Sequence, residues 1–385
     1  MNPVMVVAGT RPEVIKLSPV IKWLQKLGVD MIFTWSAQHY DYELARVFFE
    51  QLNLLEPDVD LDVRNGSHAE QTAKAMIQLE KTIAQYRPSL VVAEGDTNTV
   101  AASALTAIKT HVPFAHVEAG LRSYDRTMPE EINRIVADAL SELLYAPTEI
   151  AVKNLTHEGI PLGRIHLTGN TIVDMVIEHR DTACRRGAEL LKELNITSNE
   201  YLLTTLHRQE NTDNLSRLSN IIRALWLLSE KYKIICPIHP RTKSKLQRMS
   251  LFKSLKKREN FKLIPPLGYF EFLGLLLHSL VVLTDSGGVQ EEALTLGIPT
   301  VTLRYNTERP ETVQCGINVL AGTEPETICK LTENQMRKFE ELRKNLETKR
   351  NPFGDGNAGK RIAVAIKNAV EARIKVEAND MRARA

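Results

Sequence analysis

At 385 residues the chain exceeds one ordinary domain, and two domains of about 150–200 residues are the default. Its hydrophobic and charged fractions, 43% and 25%, are those of a soluble globular protein. A net charge of +2 excludes a strong field toward nucleic acid or acidic lipid, so the basic run Lys253, Lys256, Lys257 and Arg258 reads as a solvated helix face. Four widely spaced cysteines with no C-x-x-C suggest neither a zinc site nor a disulfide framework, and a reducing cytoplasm is the simple reading. The chain begins at once with a strand-like run and no charged, apolar leader, so no signal peptide is expected. The longest apolar run, 272–283, contains His278 and Ser279 and is too short to span a membrane.

In chain order the first half alternates strands and helices. Strands are expected over 3–8, 31–36, 90–93, 112–117, 143–146 and 164–167, and helices over 13–27, 42–52, 69–86, 99–109, 130–141 and 148–158. Such alternation means right-handed βαβ units on a parallel sheet. Gly169 and Asn170 break the pattern, and 171–194 reads as a helical passage into a second unit. There, strands are expected over 201–206, 234–238, 261–263, 281–284, 300–303 and 318–320. Helices are expected over 215–231, 269–277, 325–329, 333–346 and, after a turn-rich segment at 351–357, over 359–378. The fold class is therefore α/β, two Rossmann-like domains whose parallel sheets face a central cleft. The expected divisions are 1–170, 171–360, and a C-terminal helix in 361–385 that packs back towards the N-terminal domain. In open α/β sheets ligands sit beyond the carboxyl ends of the strands, and the polar clusters of this sequence fall on such loops.

The stretch 281–293 is central. An apolar strand end runs into Asp285, Ser286, Gly287 and Gly288, and then into a helix. Adjacent glycines permit close backbone approach and positive φ, and a helix start offers N–H groups to a phosphate. Glu291 and Glu292 follow one turn later, placed to accept from sugar hydroxyls. A tight loop with Asp285 or Ser286 as N-cap is the structural alternative.

Each remaining cluster carries a similar pair of readings. Gly9-T-R-P-E13 lacks the G-x-G-x-x-G fingerprint of dinucleotide sites; Arg11 and Lys16 can reach a diphosphate or a sugar, or the segment is a Pro-initiated helix. Asp96, in Glu94-G-D-T-N-T99, either caps a helix or faces the ligand. Glu118, just past a strand, is costly there unless paired, with Arg122 or Arg126 as structural partners. Glu130 and Glu131 stand in a first helical turn, where the dipole favours at least one of them. Asp96, Glu118 and Glu130 on three loops of one sheet edge suggest an acid–base set, since like charges shift one another's pKa. In the second half His207 and Arg208, His239 and Arg241, and Arg304, Glu308, Arg309 and Glu311 follow successive strands.

In order, GTRPEVIK, SAQHYD, EGDTNT, HVEAGLRS, RTMPEEINR, LTGN, TLHRQEN, IHPR, DSGGVQEEA, LGIPTVTLR, TERPE and NPFGDGNA run from Gly9 to Ala358. Together they resemble the non-hydrolysing UDP-N-acetylglucosamine 2-epimerases. That resemblance implies a GT-B-like two-domain fold, a homodimer, and interconversion of UDP-GlcNAc and UDP-ManNAc without a nicotinamide or other cofactor, and without a metal. The implied route is anti elimination of UDP to 2-acetamidoglucal followed by re-addition. It implies Asp96, Glu118 and Glu130 for proton transfer at C2 and charge at C1, and His207 for the departing diphosphate. It implies Arg11, Ser286 and Gly287 at the phosphates, Glu292 at the ribose and Lys16 near the nucleotide, with Arg134, His239, Gly288 and Arg309 also binding the substrate. Two departures stand out. Where bacterial members of the family bind a second UDP-GlcNAc as activator, at positions matched here by Gln38, His39 and Gln71, Asp41 and Glu70 replace a Gln and an Arg, so activation is expected to be absent or altered. Glu94 replaces the usual His or Gln before Gly-Asp-Thr. The expected role is a cytoplasmic enzyme of nucleotide-sugar metabolism supplying surface polysaccharide synthesis, acting on no nucleic acid and no membrane. The rivals are a sister 2-epimerase of a 2,3-diacetamido uronic sugar nucleotide, a GT-B glycosyltransferase, and a UDP-sugar sensor.

Overall fold

The computed structural model describes residues 2–38, 49, 52, 54, 56–64, 66–247, 249–348 and 350–384. His39 and Asp41, with the helix expected over 42–52 apart from Phe49 and Leu52, lie outside them. The chain forms two compact units, Met1–Met175 with Pro352–Ala385, and Val176–Asn351.

The first unit is built on a seven-stranded parallel sheet. Its strands are β1 (Val4–Ala8), β2 (Met31–Trp35), β3 (Val59–Asp60), β4 (Leu90–Glu94), β5 (Phe114–Val117), β6 (Leu143–Ala146) and β7 (Ile165–Leu167), in the order β3-β2-β1-β4-β5-β6-β7. Every residue of β1 and β4 is buried, because helices cover both faces of a parallel sheet. Val4 pairs with Met31 on one side and Leu90 on the other, so the strand order reverses at β1. That reversal opens a crevice beyond the strand ends, where doubly wound sheets bind ligands. Strand β3 was not expected. It is two residues long, with no apolar run to signal it, and Asp58 fixes it by accepting the N–H of Phe33 at 2.7 Å.

The C-terminal helix, Ala358–Arg384, belongs to this unit and packs on the helix Arg11–Lys26. A Cβ on Gly359 would lie 2.5 Å from the Cβ of Pro19, so only glycine allows the crossing. Asp174 accepts the first N–H groups of the C-terminal helix, those of Ala358 and Gly359, at 3.1 and 2.9 Å. Asn170 N–H donates to the Phe353 carbonyl at 2.7 Å, and Arg361 to that of Thr168 at 3.1 Å.

The second unit carries a six-stranded parallel sheet of β8 (Tyr201–Thr205), β9 (Lys233–Pro237), β10 (Phe261–Ile264), β11 (Val281–Thr284), β12 (Thr300–Thr302) and β13 (Asn318–Leu320). The order β10-β9-β8-β11-β12-β13 again reverses, here between β8 and β11. Leu202, Ile222, Ile234, Val281 and Val301 belong to its core. The helices Thr171–Leu194 and Tyr269–Leu277 touch backbone to backbone, since a Cβ on Gly187 would lie 2.5 Å from the Gly274 carbonyl carbon. Where two helices were expected over 325–329 and 333–346, Pro325–Arg337 and Phe339–Thr348 are found. Thr332 and Gln335 are turned inward. Thr332 bonds the carbonyl of Ile328, and buried Gln335 reaches those of Thr300 and Ile317. None of the described helices is long and apolar enough to cross a membrane.

Candidate active site

In the first unit the loops after β1, β4 and β5 meet at the reversal. Gly9 leaves β1 where a Cβ would lie 2.3 Å from the Thr99 hydroxyl, so the chain needs glycine for closeness rather than for an unusual φ. Glu13 forms a capping box at the head of the helix Arg11–Lys26, its carboxylate accepting from the N–H groups of Gly9 and, at 2.8 Å, Thr10. The Thr97 hydroxyl donates to its other oxygen at 2.5 Å. Burial nevertheless lifts the Glu13 carboxyl to about 7, with nearby Asp96 adding to the rise against those donors. Arg11 is half-buried at the first position of the same helix.

One turn on, buried Lys16 contacts Glu118 and lies 3.4 Å from Glu94. Glu118 follows β5 with φ +70, and its carboxylate also receives the Asn170 amide at 3.3 Å. The structural partners weighed for Glu118 are different from the one observed: Arg122 is taken by Asp138 at 2.7 Å and Glu158 at 2.6 Å. Glu94 ends β4 fully buried. Burial holds its carboxyl well above the usual range, with Lys16 opposing and Glu118, Glu13 and Asp96 reinforcing.

Asp96 sits in the turn after β4, where Arg134 donates to it at 2.5 Å. Arg134 is held from behind by Glu131, at 2.8 and 3.1 Å. Glu131 also accepts from the N–H groups of Ser123 and Tyr124, each at 2.9 Å. Burial would raise this carboxyl, but those donors and Arg134 outweigh it and hold it below the usual range. Of the two glutamates in the first turn of the helix Pro129–Leu140, Glu131 therefore does structural work, whereas Glu130 beside it is half-buried. His116 braces the Asp96 turn from below. One ring nitrogen meets Asp138 at 2.6 Å and the other the Gly95 carbonyl at 2.8 Å.

In the second unit the loops after β8, β9, β11 and β12 carry the polar groups. Ser286 is the N-cap of the helix Gly287–Leu296, and its hydroxyl is not spent on a capping bond. Neither Gly287 nor Gly288 uses the positive φ that glycine permits. Gly287 is needed for space, since a Cβ there would lie 2.6 Å from the Arg309 guanidinium, while Gly288 faces open space. Arg309 is buried behind this turn, bonded to Glu291 at 2.8 Å and Glu308 at 3.1 Å. Glu308 also binds Arg304 at 2.7 Å and Arg208 at 3.1 Å, tying the loop after β12 to the loop after β8. Asp285, fully buried, turns back to accept the N–H groups of His207 and Arg208 at 3.1 and 3.0 Å. It thereby fixes the β8 loop, with the His207 ring 3.5 Å from its carboxylate and 5.8 Å, centre to centre, from the His239 ring. Glu292 is buried on the helix. Burial first and this carboxylate second push the Tyr269 phenol well above its usual range.

Glu131, Asp138 and Asp285 were not recognised as the supports they are, nor Asn170 as a partner of Glu118. In the sequence Glu13 reads only as an N-terminal helix residue. Its capping-box spacing from Thr10 was a visible signal, but its burial was not. Of the activator set, Gln38 accepts from the Thr99 N–H at 3.1 Å and Gln71 from the Asn98 amide at 2.9 Å. Glu70 is exposed and accepts the Ser67 N–H at 2.8 Å, closing the capping box of the helix His68–Tyr86.

Two doubly wound α/β units, with a carboxylate–lysine cluster at one reversal and a Ser-Gly-Gly helix start at the other, define a GT-B-like protein with sites suited to a nucleotide and to acid–base chemistry. The chain belongs to the UDP-N-acetylglucosamine 2-epimerase family, whose model matches residues 23–367. It is 46% identical to the UDP-N-acetylglucosamine 2-epimerase of Methanocaldococcus jannaschii over 93% of this chain and 96% of that protein. A crystal structure of the Methanocaldococcus jannaschii UDP-GlcNAc 2-epimerase in complex with UDP-GlcNAc and UDP matches with a TM-score of 0.87 at 45% identity, covering 95% of this chain and 99% of that one. The UDP-2,3-diacetamido-2,3-dideoxy-D-glucuronate 2-epimerase of Pseudomonas aeruginosa is 37% identical over 94% of this chain and 98% of its own.

Proposed function

We propose that this chain interconverts UDP-GlcNAc and UDP-ManNAc at C2, without hydrolysis, by anti elimination of UDP to 2-acetamidoglucal and re-addition. The observation that carries the reading is the pair of held carboxylates on neighbouring strand-end loops, Glu118 on Lys16 and Asp96 on Arg134. The C2 proton has no carbonyl beside it in the ring, so direct abstraction is forbidding. Loosening the C1–O bond first builds oxocarbenium character and acidifies that proton. Asp96, Glu118 and Glu130 then serve proton transfer at C2 and the charge at C1, worth about 10²–10⁴-fold for positioned acid–base groups.

His207 stabilises the departing diphosphate, assisted by His239. Arg11, Ser286, Gly287 and Gly288 hold the phosphates, in keeping with a helix start whose N–H groups favour anions. Glu292 takes the ribose. Arg134 and Arg309 act from behind, on Asp96 and on the Gly287 turn. The proposal includes a homodimer, a cytoplasmic location and no cofactor. Proton NMR of the purified protein with UDP-GlcNAc in D₂O tests it, and UDP-ManNAc bearing deuterium at C2 is the expected product. Bound but unchanged UDP-GlcNAc would favour the second reading, a 2,3-diacetamido uronic substrate, which the likeness to the Pseudomonas aeruginosa enzyme supports. Transfer of the sugar to an added acceptor would mark a glycosyltransferase instead.

A further inference from the structure

Glu94 has no part in the reaction as drawn. It closes β4 opposite Val117, the residue before Glu118, so the two carboxylates emerge from adjacent strand ends. Their side chains are 3% and 6% exposed, and Lys16, itself 8% exposed, touches Glu118 and stands 3.4 Å from Glu94. Glu94 Oε1 is buried and makes no hydrogen bond among the described residues. Four carboxylates crowd this place, and their supports are unequal. Asp96 has the Arg134 guanidinium, and Glu13 has two N–H groups and the Thr97 hydroxyl. Glu118 has Lys16 in contact and the Asn170 amide. Glu94 has a share of Lys16 at 3.4 Å. Buried like charges do not all ionise, and the proton goes to the carboxylate with the weakest support.

We propose that Glu94 carries a proton in the resting site and, as a neutral acid, is a positioning residue that leaves Lys16 to Glu118 and keeps Glu118 ionised. The proposal rests on the reading of Glu118 as an acid–base group of the epimerase. Its burial and its neighbours Glu118, Glu13 and Asp96 all favour the protonated form, against Lys16 alone. As pH rises and Glu94 ionises, two carboxylates compete for one ammonium and the Glu118 contact loosens.

The test uses full-length protein with ¹³C-labelled glutamate carboxyls, followed from mildly acidic to alkaline pH. In Glu94→Gln one carboxyl resonance that titrates above neutrality disappears. If the lost resonance is already that of a carboxylate at mildly acidic pH, or if Glu13→Gln removes the high-titrating resonance instead, the proposal is wrong. Infrared spectra give a second check, because the carbonyl stretch of a protonated carboxylic acid at neutral pH is expected to be weaker in Glu94→Gln than in the parent, and a stretch unchanged between the two refutes the proposal. Turnover of UDP-GlcNAc tests the positioning role. Above the Glu94 midpoint the parent kcat falls about tenfold per pH unit, and Glu94→Gln loses that limb; an unchanged ratio of alkaline to neutral kcat overturns the role. A parent with no turnover at any pH would defeat the epimerase reading and the role built on it, while the resonances still decide where the proton sits.

Discussion

Glu118 holds a backbone conformation that side chains ordinarily avoid, at a cost of about 1–2 kcal/mol. In that geometry the N–H groups of Glu118 and Ala119 both donate to the Tyr145 carbonyl at 3.1 Å, and the carboxylate meets Lys16. Strain of this kind persists where the surroundings over-determine it. Glu118→Gln is expected to lower kcat by about 10²–10⁴-fold while leaving UDP affinity by calorimetry within twofold or so. At the other reversal, Gly287→Ala drives a methyl group into the Arg309 guanidinium, so both the melting temperature and UDP affinity should fall. Gly288→Ala, which meets open space, should leave the melting temperature unchanged, and a pair of thermal melts separates the two. Asp96 and Glu118 could be placed from the sequence because each lies within two residues of the end of an apolar, strand-like run. The support of Glu118 was not, because Lys16 lies 102 residues away, on the helix after β1, and β4 stands between that strand and β5.

The strands and helices were largely legible because a parallel sheet covered on both faces writes its strands as unbroken apolar runs. What escaped was set by single side chains, such as Asp58 pinning β3 and Gln335 carrying a helix through a polar stretch. Asp174 works at this scale too, occupying the N-terminus of the helix Ala358–Arg384 in place of a local capping side chain. Asp174→Ala leaves two buried N–H groups without that acceptor and should cost about 1 kcal/mol, read as a lower denaturant midpoint with unchanged slope. The helix His68–Tyr86 explains one departure from the family pattern, since Glu70 closes its capping box. A carboxylate held there repels an anionic activator, so the rate of UDP-GlcNAc turnover should depend hyperbolically on substrate. A sigmoidal curve relieved by added UDP-GlcNAc would contradict this.

Over the whole molecule, buried acids make stability depend on pH. Glu13 and Asp174 bind protons more tightly folded than unfolded, with carboxyls raised from 4.5 to about 7 and from 3.8 to about 6, in each case chiefly by burial. Their contribution is complete below the unfolded values and is lost as pH rises through the folded ones. For Glu13 the loss amounts to up to about 3 kcal/mol. Relative to Glu13→Gln, the parent should therefore lose melting temperature between mildly acidic and neutral pH, measured by calorimetry at matched ionic strength. The division of the chain has a further consequence, in time rather than in energy. Residues 176–351 form one uninterrupted unit, whereas the first unit waits for residues 352–385, whose helix lies on Arg11–Lys26. A ribosome thus releases the complete second unit while the first still lacks its last helix. Biosynthesis inverts the usual order, and the half that is begun first is finished last.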